Sequence, residues 1–133
     1  MRYLITGGSG YIGGRLTDEL SSREETEKII DVDLRPPPRT WPKHEFVKAD
    51  IRDRRKMQEL LEKHEIDALL HFAFVLNPIR DEAKMYDIDV NGTQAVLRVG
   101  GRRSTSTIFS VSSREESSSV RRPPMYPDPP VIR

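Results

Sequence analysis

The sequence predicts an α/β domain with a doubly wound parallel sheet of about five strands. Two observations carry this prediction. Strand-like segments alternate with helical segments from residue 2 to residue 111, and the run 66–72 is almost continuously apolar, which is typical of a strand covered on both faces. Helix-length connections between strands require right-handed crossovers and therefore a parallel sheet.

The first elements have clear local signals. Residues 2–6 form a short apolar strand, and residues 28–33 return as a second one. Between them, residues 11–22 carry apolar side chains at every fourth position, which places these side chains on one face of a helix. The positions are Ile12, Leu16 and Leu20.

Prolines mark the connection after the second strand. Residues 35–42 cannot form regular structure, because proline lacks the amide donor and excludes the helical region for the residue before it. We therefore expect an exposed connection, followed by a brief third strand at 45–48 and a helix at 53–63. One side of this helix is formed by Met57, Leu60 and Leu61.

The remaining pattern predicts two more strands and a longer helix. The run 66–72 is the fourth strand, residues 81–99 form the helix, and residues 107–111 form the fifth strand. The core side of the helix is formed by Ile88, Gly92, Ala95, Val96 and Val99. Residues 114–133 are rich in Ser, Arg and Pro and offer too little apolar surface to offset the entropy of ordering. We expect a domain at 1–113 and an irregular tail.

Composition excludes several classes of function. The 133 residues suffice for one domain, and a net charge of +1 implies no general attraction to nucleic acid or anionic membranes. The absence of cysteine excludes disulfides, thiolate metal sites and cysteine nucleophiles. No secretory signal or membrane-spanning run is recognisable, so we expect a cytoplasmic protein with no nucleic-acid or membrane partner.

A glycine-rich loop follows the first strand. In Gly7-x-x-Gly10-x-x-Gly13, the first glycine allows a sharp turn, the second allows close approach to a pyrophosphate, and the third allows the helix to pack on the strand. The helix that starts near Tyr11 would present free amides to the phosphates. The alternative is a glycine-rich turn without a ligand.

An aspartate at the end of the second strand strengthens the dinucleotide hypothesis. Asp33 can accept both hydroxyls of an adenosine ribose and would repel a 2′-phosphate, which favours NAD over NADP. Arg35 weakens this preference, since it could partner a 2′-phosphate. The expected ligand is NAD, with NADP less favoured.

The loop resembles the signature T-G-G-x-G-[YF]-[IL]-G of the extended short-chain dehydrogenases/reductases, the NAD-dependent epimerase/dehydratase family. The resemblance covers residues 1 to about 113 and implies a Rossmann-type sheet with strand order 3-2-1-4-5. It implies a hydride-transfer oxidoreductase acting on a carbonyl or alcohol substrate, nucleotide sugars among them. The residues expected to bind the cofactor are Gly7, Ser9, Gly10, Tyr11, Ile12, Gly13, Asp33, Arg35, Asp50, Ile51, Phe72, Ala73 and Phe74.

Three further segments resemble the family in order. Asp50-Ile51 resembles its adenine-contacting pair, although an acidic residue before a helix is by itself usually a cap. His71-Phe-Ala-Phe74 resembles H-x-A-[AG], and we interpret His71 itself as a buried, hydrogen-bonded histidine rather than a catalyst. Asp89 stands where the family has asparagine, so any hydrogen bond donated there is lost and its role as a cofactor contact is doubtful.

The catalytic residues that the resemblance implies are missing. No Tyr-x-x-x-Lys occurs in the sequence, and Arg114 stands where the serine pair Ser112-Ser113 would be followed by the catalytic hydroxyl. We therefore expect no catalytic residue here, a degenerate or truncated C-terminal part, and a small-molecule substrate only if that part is supplied. The alternative is a non-catalytic dinucleotide-sensing or protein-interaction module. A homodimer is left open.

Overall fold

The computed structural model describes residues 1–75 and 80–101 and the backbone of 106–109. It contains five parallel strands, each connected to the next by a crossover. The strands are β1 (Arg2–Thr6), β2 (Lys28–Asp33), β3 (His44–Lys48), β4 (Ala68–His71) and β5 (Ser106–Phe109). The order across the sheet is β3-β2-β1-β4-β5, which confirms the predicted topology.

Both faces of the sheet are covered, because successive side chains of a strand point to opposite faces. On one face, Leu4, Ile30 and Leu69 pack with residues of the two helices α2 (Arg54–Lys63) and α4 (Thr93–Gly100). On the other face, Ile5, Ile29 and Leu70 pack with Leu20 of helix α1 (Tyr11–Ser21). The apolar strands predicted from the sequence are therefore central strands of a doubly wound domain.

The predicted helix at 81–99 is not uniform. It divides into α3 (Glu82–Tyr86), a π-helical segment (Asp87–Gly92) and α4. A Cβ at Gly92 would lie 2.6 Å from Cδ1 of Ile51, so the helical run packs closely on the loop after β3 and a side chain at position 92 would require Ile51 to move. A 3.6-residue pattern in the sequence cannot distinguish a π turn from an α turn.

The other boundaries differ by one to two residues. Asp53 and Asp81 cap their helices from outside, each accepting a hydrogen bond of 2.9 Å from the amide three residues on. Strand β4 begins at Ala68 rather than at Ile66, whose amide donates to the end of α2 instead. The predicted tail at 114–133 and the end of the fifth strand lie outside the described residues.

The proline-rich connection has no regular structure, as predicted, but one end of it is held in place. Nε1 of Trp41 donates to Asp18 of α1 over 3.0 Å. Arg39 pairs with the same carboxylate at 2.8 Å and lies over the Trp41 ring. These contacts hold the connection against the C-terminal half of α1. Within the described residues, no helix is long and apolar enough to cross a membrane.

Candidate functional site

A cleft of about 570 Å³ opens at the carboxyl edge of the sheet, where the strand order reverses between β1 and β4. Ligands of open parallel sheets bind at this position, because the loops after neighbouring strands diverge there. The cleft is lined by residues that follow β1, β2, β3 and β4. They are Gly7, Gly10, Tyr11, Ile12, Gly13, Val32, Asp33, Leu34, Arg35, Ala49, Asp50, Ile51, Phe72, Ala73, Phe74, Val75 and Ile88.

The glycine loop forms one wall of the cleft. Gly7 has φ +73°, and a Cβ there would lie 2.6 Å from the Ala73 nitrogen of the neighbouring loop. A Cβ at Gly13 would lie 2.3 Å from the Gly7 carbonyl oxygen, so this glycine brings α1 against the loop. At Gly10 a Cβ would lie 3.2 Å from the same oxygen, the one close contact among the described residues. The fold therefore requires the first and third glycines more strictly than the second.

The N-terminus of α1 lacks a side-chain cap. Gly10 provides no acceptor, and the first turn contains no acidic residue. The helices α2 and α3 differ, since aspartates cap them. The first amides of α1 lie at the wall of the cleft, where an anion would satisfy them and interact with the positive end of the helix dipole.

Two charged residues follow β2 on the opposite wall. The Asp33 carboxylate accepts a hydrogen bond from the Arg35 backbone amide at 3.2 Å, which orients it at the end of the strand. Its other oxygen has no hydrogen-bond partner among the described residues, and Arg35 itself is exposed. Asp33 and Arg35 thus both line the cleft.

Asp50 is tied to an arginine that the sequence analysis missed. Its carboxylate accepts from the Arg52 guanidinium at 2.7 Å, and this contact holds the pKa of Asp50 below its usual range. The same guanidinium donates to Asp87 at 2.7 Å. Ile51 is buried against the helical run. Arg52 therefore joins the loop after β3 to the π-helical segment and orients Asp50 beside the cleft.

His71 is a buried core residue, as expected. Its Nδ1 lies 2.5 Å from Oγ1 of Thr6, and its Nε2 lies 2.9 Å from Oγ1 of Thr93. Burial lowers the pKa of His71, so the imidazole is neutral at neutral pH. The three residues after it, Phe72 to Phe74, line the cleft. Their position depends on His71, which joins β1, β4 and α4.

Asp89 holds the backbone beside the cleft instead of facing it. Its Oδ1 accepts from the Val75 amide at 2.8 Å, and burial raises its pKa. This bond requires only an acceptor oxygen, which aspartate provides as well as the asparagine usual in the family, so the bond to Val75 is not lost. Asp89, whose role as a cofactor contact the sequence analysis called doubtful, thus accepts a hydrogen bond from the protein's own backbone.

Ser9 is placed differently from the other predicted cofactor residues. It does not line the cleft, and its Oγ donates inward to Oδ2 of Asp31 at 2.8 Å. Its side chain is therefore committed to the protein. Asp31 interrupts an otherwise apolar strand two residues before Asp33, and this interruption was the available sequence signal for the contact with Ser9.

In the described part of the chain, no group of three or more acidic or histidine side chains is arranged to hold a metal ion.

Comparisons with known proteins agree with this arrangement. A UDP-glucose 4-epimerase of Klebsiella pneumoniae is 35% identical over 127 residues, which are 85% of this chain and 90% of that protein. One from Rhizobium meliloti is 34% identical over 71% of this chain and 30% of its own length. The crystal structure of a UDP-glucose-4-epimerase from Stenotrophomonas maltophila, with bound NAD and formylated UDP-arabinopyranose, has a TM-score of 0.70 at 29% identity.

The match to that structure covers 85% of this chain but 37% of the larger protein. This chain therefore corresponds to little more than a third of that protein. The model of the NAD dependent epimerase/dehydratase family matches residues 3–128. The match continues beyond residue 113, where the sequence analysis expected the resemblance to end. On this evidence the chain belongs to the NAD-dependent epimerase/dehydratase family.

Proposed function

We propose that the cleft binds NAD, with the pyrophosphate at the N-terminus of α1. The observation that carries this proposal is the uncapped start of α1 beside the glycine loop, where Gly10, Tyr11 and Ile12 line the cleft. Gly10 lines the cleft without a side chain, and a Cβ there would lie 3.2 Å from the Gly7 carbonyl oxygen. A pyrophosphate fits both features, because it supplies acceptors and needs close approach to the backbone.

The remaining cofactor contacts follow from position in the cleft. Asp33 would accept the hydroxyls of the adenosine ribose, and Asp50 with Ile51 would contact the adenine edge. The segment Phe72 to Phe74 would border the rest of the dinucleotide. Ser9 contributes only through its backbone, since its hydroxyl is bound to Asp31.

The proposed preference for NAD over NADP rests on Asp33. Its carboxylate would repel a 2′-phosphate at the position of the ribose hydroxyls. Arg35 lines the same part of the cleft and reduces this discrimination. We therefore expect NAD to bind more tightly, with Asp33→Asn narrowing the difference.

The family chemistry is hydride transfer between the nicotinamide and a carbonyl or alcohol carbon, and nucleotide sugars are the substrate class that the epimerase relatives suggest. The 133 residues contain no Tyr-x-x-x-Lys, the pair that would exchange the substrate proton. The chain's own residues therefore bind and orient the dinucleotide. We propose that it does not turn over a substrate without a further polypeptide segment that supplies the acid/base pair.

The proposal is tested by titrating the protein with NADH and following fluorescence transfer from Trp41. Saturable transfer is expected, and Asp33→Ala should weaken it by about tenfold, the size of one lost hydrogen-bonding pair to a charged group. Asp67→Ala is the matched control, because Asp67 precedes β4 at the edge of the sheet opposite the cleft, where its carboxylate accepts from the Arg2 amide. Absence of saturation in a cooperatively folding sample would refute the proposal.

A further inference from the structure

A buried polar cluster lies directly beneath the glycine loop. Asp31 of β2 has no exposed surface, and its Oδ2 accepts the hydroxyl of Ser9 at 2.8 Å. A Cβ at Gly8 would lie 2.4 Å from Oδ1 of the same carboxylate. The loop thus rests on the Asp31 side chain at two successive residues.

On its other side the carboxylate faces a histidine. Nε2 of His44, whose side chain is 2% exposed, lies 3.5 Å from Oδ2 of Asp31. The edge of the His44 ring packs against Trp41, with 5.0 Å between ring centroids. Neither Oδ1 of Asp31 nor Nε2 of His44 has a hydrogen-bond partner within the described residues.

Such a cluster is costly for folding. A buried carboxylate with an unpartnered oxygen loses hydration that one hydroxyl and one histidine restore only in part. Burial is the main cause that raises the pKa of Asp31; Asp33 on the same strand raises it further, whereas Ser9 and His44 oppose the shift. Position 31 shares the face of Ile29 and pairs with Ile5, so an apolar side chain would suit the sheet better.

We propose that Asp31 is a positioning residue for the dinucleotide site, which holds Gly8 and Ser9 so that the loop presents its backbone to the pyrophosphate. This inference rests on the proposed function. Asp31 would not touch the dinucleotide itself, since it lies below the loop and outside the cleft. Its carboxylate acts through the Ser9 hydroxyl, and His44 provides the group opposite it.

The test compares NADH dissociation constants and melting temperatures of three variants. Ser9→Ala removes the hydroxyl, Asp31→Asn removes the charge, and Asp31→Leu removes every polar atom. We expect Ser9→Ala and Asp31→Leu to weaken binding by about tenfold each, as for one hydrogen bond to a charged group, and Asp31→Asn by less. The double variant with Ser9→Ala and Asp31→Leu should bind NADH no more weakly than either single variant, because both substitutions delete the same contact.

Melting temperatures separate positioning from mere structural support. Because burial penalises the carboxylate, Asp31→Asn, which keeps an acceptor for the Ser9 hydroxyl, should melt at or above the wild-type temperature while it binds more weakly. Ser21→Ala is the matched control, since its hydroxyl bonds a backbone carbonyl of α1 away from the loop and its loss should leave NADH binding unchanged. If Asp31→Leu fails to fold, Ser9→Ala decides the question alone, because it leaves β2 intact.

A pH profile gives an independent readout. The ratio of the NAD dissociation constants of Asp31→Asn and wild type, measured by calorimetry, should approach one as the pH falls from about 7 toward the pKa of the Asp31 carboxyl, because protonation removes the charge that the variant lacks. Asp33 and His44, the titratable groups that act on the Asp31 carboxyl, are present in both proteins. A ratio independent of pH would contradict the inference.

Failure of the inference differs from failure of the proposed function. If wild type shows no saturation with NADH, both are refuted. If wild type saturates while Ser9→Ala and Asp31→Leu bind as tightly, only the positioning role of Asp31 is refuted. Weakened binding that follows a lowered melting temperature in every variant would also refute it.

Discussion

Gly13 of α1 lies against Gly7 of the preceding loop so closely that a Cβ at position 13 would be 2.3 Å from the Gly7 carbonyl oxygen. Two backbones meet here without any side chain between them. The contact determines how the helix N-terminus is aimed at the cleft, and it makes the glycine loop a structural element of the fold as well as a candidate binding site.

Gly13→Ala is expected to destabilise the protein by about 1–3 kcal/mol, the usual cost of overpacking, because the neighbouring atoms are backbone and cannot move aside. Chemical unfolding of the variant and of Gly14→Ala measures this. At Gly14 a Cβ would have ordinary contacts, the nearest at 3.6 Å, and alanine favours the helix by roughly 0.5–1 kcal/mol. Equal destabilisation of Gly13→Ala and Gly14→Ala would contradict the close backbone contact at Gly13.

Gly10→Ala should separate folding from binding. The Cβ would lie 3.2 Å from the Gly7 carbonyl oxygen, against 2.3 Å at position 13, so the melting temperature should fall less than in Gly13→Ala. The same Cβ projects toward the space assigned to the pyrophosphate, and NADH affinity should fall by at least about tenfold. An affinity equal to that of wild type would place the phosphates elsewhere.

Arg52→Met should change how the free energy of unfolding depends on pH in the acidic range. The Arg52 guanidinium lowers the pKa of Asp50 below its ordinary 3.8, so this pair stabilises the folded state above about pH 4 and the contribution is lost as the pH falls through the folded-state pKa. Unfolding free energies measured from neutral to acidic pH should therefore fall less steeply in the variant. The total change at neutral pH should stay within about 1 kcal/mol, because the pair is partly exposed.

Arg55→Met is the control for this measurement. Arg55 is an exposed arginine on α2, so its replacement removes the same charge without touching Asp50. The free energy of unfolding of Arg55→Met should fall with decreasing pH as steeply as that of wild type. A parallel change in both variants would show that net charge, and not the contact with Asp50, determines the slope.

His71 should make the protein sensitive to mild acid. Burial lowers the pKa of His71 below its ordinary 6.5, so the unfolded chain takes up a proton where the folded chain does not. The stabilisation is complete above about pH 6.5 and is lost as the pH falls through the folded-state pKa. Unfolding free energies of His71→Gln should show a smaller slope in this window.

Thr93→Val examines the same residue from its partner's side. It removes the oxygen 2.9 Å from Nε2 of His71 and leaves this buried nitrogen unpartnered, at an expected cost of about 1–3 kcal/mol. His64→Gln is the comparison for His71→Gln. Burial also lowers the pKa of His64, but this residue lies at the partly exposed end of α2. A stability unchanged in Thr93→Val would exclude the hydrogen bond.

Most of the fold was predictable because its signals are local. The apolar strands, the four-residue spacing of Ile12, Leu16 and Leu20, and the proline-rich connection each depend on neighbours along the chain. The strand order follows from the family resemblance and from the handedness of crossovers. The π-helical segment escaped prediction, since hydrophobic spacing does not resolve one extra residue in a turn.

The site was predictable in outline and not in its supporting contacts. Twelve of the thirteen residues expected to bind the cofactor line the cleft, and Ser9 alone turns inward. Asp31 and Arg52 were overlooked, because each acts on a residue brought near only by folding. Arg52 meets Asp87 from 35 positions away, and Ser9 meets Asp31 from 22.

The sequence by itself determined the alternating architecture, the glycine spacing and the absence of a Tyr-x-x-x-Lys pair, since all three are properties of the linear order of residues. Only the tertiary structure decided which polar side chains face the cleft and which lie beneath it. Asp33 and Asp31 are both acidic and stand two residues apart on one strand, yet one lines the cleft and the other is fully buried. The reason is the loop after β1, which covers Asp31 and stops short of Asp33 at the end of the strand.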